Sequence, residues 1–520
     1  MAIKISGSTI IDDSRNIVSA GVVTATSFSG DGSALTDVGL YADTDLNIFS
    51  ANTCSGCNLD GTNGCFNVFL GSCAGKSTTS GAKNIFLGEC AGVENTTGNY
   101  NNYIGFHAGL NNIGCCNTFI GARVGSALTS SSWNIIIGDC AGRCSTTTGV
   151  HNIYFGQAAG SNTSSDGSYN IFQGYYSGYC NTSGDYNVFL GSSAGKLNTT
   201  GVKNNFIGMN AGIGNTTGCC NNMIGVGAGQ CATVTGQHNN FLGTFAGKCA
   251  TGAGQHNNFI GCDAGCLNTS GAFNNFIGRS AGSNNTTGGS NNFIGCTAGK
   301  SNTTGNANNI FGYLSGCSNT TGNNNNFIGR AAGRDNISGH DNNFIGRYAG
   351  IGNTTGCCNN MIGRGAGQCA NITGEHNNFL GTYAGKCATG SGSNNNFIGR
   401  SAGRLNTTGN VNNFFGYRSG CSNTTGNLNV FIGRCVGAAN TTGSYNVFFG
   451  PDAGRSNTSG NDNNFIGRYA GLGNTTGGKN IAIGCRSGKS LTSGESNIFL
   501  GACSGGNSDG ITGSYNLAMG

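Results

Sequence analysis

The chain has 520 residues, of which 97 are glycine and one is proline, with 9% charged residues and a formal net charge of +5. Glycine without a three-residue spacing excludes a collagen triple helix, and so few charges exclude a disordered polyelectrolyte. A weak positive balance, with no run of Lys and Arg interleaved with aromatics, gives no reason to expect a nucleic-acid partner.

Residues 1–46 come first and do not share the pattern of the rest, so they read as a separate attachment or assembly segment. The opening Met1-Ala2-Ile3-Lys4-Ile5-Ser6-Gly7 lacks the basic and apolar regions of a secretory signal. No stretch of the chain offers the roughly 18 apolar residues that cross a bilayer, and membrane insertion is not expected. Asn47-Ile48-Phe49-Ser50-Ala51 reads as a degenerate first coil, which makes 47–520 the repeat array.

From Asn67 onward the unit Asn-x-Phe-Ile-Gly recurs, as at Asn204 to Gly208, Asn274 to Gly278, Asn291 to Gly295 and Asn342 to Gly346. Ala-Gly and Asn-Thr-Thr-Gly fill the interval, and the closing glycines return about every 17 residues, the mark of a solenoid. Alternation along a strand sends the Asn and Phe one way and the intervening residue and Ile the other. Both faces thus carry an apolar residue, one for the coil's own core and one to meet a second chain. The pattern predicts an all-β parallel β-solenoid or β-roll, assembled as an intertwined or side-by-side homotrimeric rod. At about 4.8 Å per coil the rod reaches on the order of 130 Å. The strand-opening asparagines, among them Asn187, Asn221, Asn239 and Asn257, are expected to stack as an amide ladder. Residues 218–225 return unchanged as 356–363, so the array grew by duplication of blocks.

The 26 cysteines fall into register with the coils. Cys231 with Cys249, Cys369 with Cys387, and Cys73 with Cys90 occupy equal positions in successive coils, where Cα atoms about 4.8 Å apart fit the disulfide range of about 4.4 to 6.8 Å. Inter-coil disulfide staples and an oxidising final environment are the expectation, with reduced cysteine as a small packing residue the alternative. In the pairs Cys115-Cys116, Cys219-Cys220 and Cys357-Cys358, alternation forbids both side chains from pointing inward, which leaves one of each to bridge elsewhere. A zinc site from Cys231, Cys249, His238 and His256 is disfavoured because the cysteines and histidines occupy different corners of the coil. No nucleophile elbow, nucleotide loop or carboxylate pair stands out, so neither catalysis nor a cofactor is expected.

An arginine follows the strand glycine at 279, 330, 347, 364, 400, 434 and 468. Arg330, Arg347 and Arg364 lie in consecutive coils, where like charges are unfavourable unless screened or paired. They read either as a column for an anionic surface glycan, a phosphate or a neighbouring protomer's acids, or as charge that keeps the rod soluble.

The stretch Gly21-Val22-Val23-Thr24-Ala25-Thr26-Ser27-Phe28-Ser29-Gly30-Asp31-Gly32-Ser33-Ala34-Leu35-Thr36 resembles segments of tail-fibre and other structural proteins of marine bacteriophages, cyanophages especially. The array is similar to the Asn-Thr-Phe-Ile-Gly-type repeats of phage fibres and bacterial surface proteins, and more distantly to the β-roll heads of trimeric autotransporter adhesins, whose coils are shorter. The resemblance implies a virion tail-fibre-like rod that contacts a host surface, with residues 1–46 bound to other virion proteins and a virion or extracellular location. The alternative is a self-polymerising extracellular filament or adhesin subunit joined through that same segment.

Overall fold

In the computed structural model the described residues run from 45 to 520, apart from 51–53, 61–62, 144–148, 163–166, 232–234, 251, 253, 369–370, 389 and 507–509. Before residue 45 only the strands Ile3–Ile5, Ser8–Ile11 and Leu40–Ala42 are described, so the attachment role expected of residues 1–46 lies almost wholly outside the described residues. Ile3–Ile5 pairs antiparallel with Ser8–Ile11, and Leu40–Ala42 lies antiparallel on Ile48–Ser50.

The array is a parallel β-solenoid of about 17-residue coils, as the repeat predicts. Each coil contributes one three-residue strand, such as Asn275–Ile277, and each strand pairs in parallel with its counterpart in the next coil. About 26 turns separate Val68–Leu70 from Leu517–Met519. The corners pair as well: Thr269 N–H donates to Thr286 O and Thr286 N–H to Thr303 O, both at 2.9 Å, and Gly282 N–H donates to Ala298 O at 3.0 Å. Coil-to-coil bonding therefore continues around the corners, which is how so many turn residues keep their backbone groups satisfied.

The core is one aromatic residue wide. Phe259, Phe276 and Phe293 are fully buried, with ring centroids 4.9 and 4.8 Å apart and ring planes within 8° of parallel. Ala264, Ala281 and Ala298 form a second buried column beside them. A buried phenylalanine stabilises by roughly 1.5–3 kcal/mol, and repetition turns that into a continuous apolar spine. So narrow a coil leaves no space at its glycines. At Gly278 φ is +132° and an added Cβ would lie 2.6 Å from the Gly295 carbonyl, while at Gly282 it would lie 2.6 Å from the Phe276 ring. Glycine is required there both for its conformation and for the close approach of neighbouring coils.

Candidate functional surface

Asparagine supplies the polar half of the interior. Asn187, Asn221, Asn239 and Asn257 are buried. Asn204 N–H donates to Asn187 Oδ1 at 2.9 Å, Asn239 N–H to Asn221 Oδ1 at 2.9 Å and Asn257 N–H to Asn239 Oδ1 at 3.1 Å. Each amide also donates through Nδ2 to a corner glycine carbonyl one coil on, as Asn187 does to Gly201 at 2.9 Å. The rung thus joins side chain to backbone throughout, with amide-to-amide contact added at places such as Asn257 to Asn239. Two further ladders accompany it. The turn asparagines of Asn-Thr-Thr-Gly stack inside, with Asn285 Nδ2 donating to Asn268 Oδ1 at 2.6 Å and Asn302 Nδ2 to Asn285 Oδ1 at 2.7 Å. The residue after the strand-opening Asn stacks on the outer face, from Asn258 to Asn275 and from Asn275 to Asn292, each at 2.9 Å. The doubled Asn-Asn of the repeat was the signal for that outer ladder.

The outer strand face alternates this asparagine with a half-exposed aliphatic or aromatic residue. Ile85, Ile135, Ile171 and Ile498 are exposed on it at the position after the ladder asparagine, and Phe155, Ile328, Ile398 and Phe449 at the position before the strand glycine. The result is an apolar stripe parallel to the long direction of the stack.

The arginines after the strand glycine are not a bare column of charge. The Arg330 guanidinium lies 5.9 Å from the Tyr313 ring centroid and 5.8 Å from that of Tyr348. Arg347 lies 4.8 Å from the Tyr348 ring and Arg364 5.8 Å from that of Tyr383. The Tyr348 face shared by Arg330 and Arg347 screens that pair, and Tyr383 covers Arg364, since a ring quadrupole attracts a guanidinium. Arg347 also donates to the Tyr348 hydroxyl at 3.3 Å, and this bond, followed by the charge of Arg330, holds the Tyr348 phenol below its ordinary value. Further along, Arg434 and Arg455 approach the buried Asp452 carboxylate at 3.1 and 3.4 Å. The sequence pattern therefore divides into arginines that stack on tyrosine, Arg434, which closes an ion pair, and Arg279, which lies against Cys296.

Cys231 and Cys249 lie in adjacent coils with Sγ atoms 3.2 Å apart, a thiol contact and not the roughly 2.05 Å of a disulfide. Burial, then the contact with Cys249, pushes the Cys231 thiol up to about 11, and burial does the same to Cys266 in the following coil. Cys73 and Cys90 are likewise free neighbours, and Cys90 is raised by burial and by Cys73. Cys387 is a free thiol, whereas Cys369 lies outside the described residues, so that proposed pair is not described. Among the described residues no cysteine is in a disulfide. The adjacent cysteines differ from the alternation argument for a local reason. Cys116, Cys220 and Cys358 have φ of 61°, 58° and 57°, and this left-handed turn brings both thiols of a pair to the same outer corner. Cys219 and Cys357 consequently contact their own neighbours, Cys220 and Cys358, and Cys357 also meets Glu375 of the next coil. His256 stacks at 5.0 Å on both His238 and Phe273, and neither histidine gathers with Cys231 and Cys249 into a metal-ligand group.

Among the described residues no helix is long and apolar enough to cross a membrane. No family model matches the chain, and no curated protein matches it.

Proposed function

We propose that the protein is a non-enzymatic structural rod of the virion tail-fibre kind, a homotrimer about 130 Å long in its repeat region that contacts a host surface. The observation that carries this reading is the apolar stripe on the outer strand face. Single exposed aliphatic residues are ordinary on any protein, but a stripe repeated coil after coil is a surface suited to a partner of the same period. A second and third copy of this chain supply that period, and threefold closure shields all stripes at once. The Arg–Tyr column, on a different side of the strand glycine, stays available for an anionic glycan of the host surface. A narrow spine bonded from coil to coil along its length suits reach and mechanical load.

Electron microscopy of the full chain without reductant, with mass measured on the same sample, tests the proposal. Discrete rods near 130 Å at three chains per particle are expected. Rods of a single chain would overturn lateral assembly, and indefinitely long filaments would make the protein a polymer subunit.

A further inference from the structure

The duplicated block contains its own control experiment. Cys219-Cys220 and Cys357-Cys358 lie in identical eight-residue segments, yet the coils on either side of them differ. The backbone is the same in both: Cys220 N–H donates to Val202 O at 3.0 Å and Cys358 N–H to His340 O at 3.0 Å, while His238 N–H donates to Cys219 O at 3.1 Å and His376 N–H to Cys357 O at 3.2 Å. Around the first thiol pair the sequence places Val202, Lys203 and Gln237. Around the second, the same positions hold His340, Asp341 and Glu375. Three side chains without an anionic or imidazole donor have become three that carry one.

We propose that His340, Cys357 and Cys358 form a binding site for a zinc-class divalent cation that joins consecutive coils, with Glu375 of the next coil turning in as the fourth ligand. The ligating atoms of the first three already lie within 4.8 Å of one another. Tetrahedral zinc, with sulfur at about 2.3 Å and nitrogen at about 2.0 Å, needs its donors roughly 3.5–3.8 Å apart, a contraction of about 1 Å from that limit. The Glu375 carboxylate is within hydrogen-bonding reach of the Cys357 thiol. His340 Nδ1 lies 2.7 Å from Asp341 Oδ2, which orients the ring and leaves Nε2 to ligate. Cys357 is buried, Cys358 half-buried and His340 exposed, so one side of the group is open to an entering ion. Two sulfurs and an imidazole select a borderline cation over magnesium or calcium. At the first pair, by contrast, the Lys203 ammonium faces the thiols and opposes a cation. On binding, the two thiol protons leave to solvent and the thiolates neutralise the metal charge. The inference is independent of the fibre reading.

The test uses the full chain, reduced, stripped with a chelator and titrated with Co²⁺ alone, read by thiolate-to-cobalt charge-transfer absorption. One strong site is expected, displaced by Zn²⁺ and unchanged in C219S/C220S. The variant H340V/D341K/E375Q rebuilds the first block's side chains on a backbone that already accommodates them, so its far-ultraviolet circular dichroism should match the parent. It should bind Co²⁺ at least about 100-fold more weakly, and Asp341→Asn alone about tenfold more weakly. Equal binding by the triple variant, or loss of the absorption in C219S/C220S with retention in C357S/C358S, would overturn the site.

Discussion

The side-chain Oδ1 of Asn239 accepts the backbone N–H of Asn257, one coil on, at 3.1 Å, and Asn239 Nδ2 donates to the Gly254 carbonyl at 3.0 Å. One amide thus satisfies two backbone groups that the narrow core hides from water. Asn239→Ala removes both partners at once, and each orphaned group costs about 1–3 kcal/mol. Replacement should therefore destabilise the neighbouring coils by roughly 2–6 kcal/mol. Hydrogen exchange of the flanking coils would register this as lost protection; unchanged protection would mean that water reaches the ladder.

A strand-closing glycine and a corner glycine differ in what surrounds them. Gly278→Ala puts a Cβ 2.6 Å from the Gly295 carbonyl at a φ of +132°. Gly289, without a positive φ, has its nearest neighbour, Ala272 O, at 3.1 Å. The first substitution should open the stack locally and create a new site of proteolytic cleavage, whereas Gly289→Ala should leave the digestion pattern as it was. Equal resistance in both variants would contradict the close approach of coils at Gly278.

Period and alternation were sufficient to read the solenoid, because each coil is one strand and its corners, and the burial of Phe276 and Asn274 follows from their place in that alternation. Alternation failed where the backbone departs from an extended conformation. Cys358 at φ 57° turns its thiol beside that of Cys357, and no count along a strand anticipates that. The Arg–Tyr contacts were hidden for another reason: Arg330 and Tyr348 are 18 positions apart and meet only because the coils stack. The grouping of His340 with Cys357 and Cys358 was legible in the duplicated block, once the two copies are compared for their differences and not for their identity.

The raised thiols make the rod sensitive to alkali. An unfolded cysteine ionises near about 8.5, whereas folded Cys231 and Cys266 hold their protons to about 11 because they are partly buried. Below the unfolded value both states are protonated and the folded state keeps its full advantage. As pH rises towards 11, the unfolded chain releases protons that the folded chain retains, and stability falls. The urea midpoint should decrease between about pH 7.5 and about pH 10.5, and less steeply in C231S/C266S. An equal decrease in both proteins would show that these thiols are not responsible.

Tyr348 reports on the arginine column. Its phenol is held below the ordinary value by the bond from Arg347 and then by the charge of Arg330. Arg347→Gln removes the donor and the nearest charge, so phenolate formation at Tyr348 should shift to higher pH, and R330Q/R347Q/R364Q should shift it further. Tyr348 is half-exposed at the surface, where solvent screens the contact, so this change is in titration and not in stability. Absorbance difference titration against a Tyr348→Phe reference isolates the one phenol, and an unchanged curve in Arg347→Gln would show that the contact is not formed in solution. The same triple variant separates the two readings of the column. If the arginines bind a host-surface anion, binding of the rod to polyanionic glycan should fall while its assembly is unaltered, because the outer strand face is untouched. If both binding and assembly persist, the column serves only to carry charge on an otherwise neutral surface.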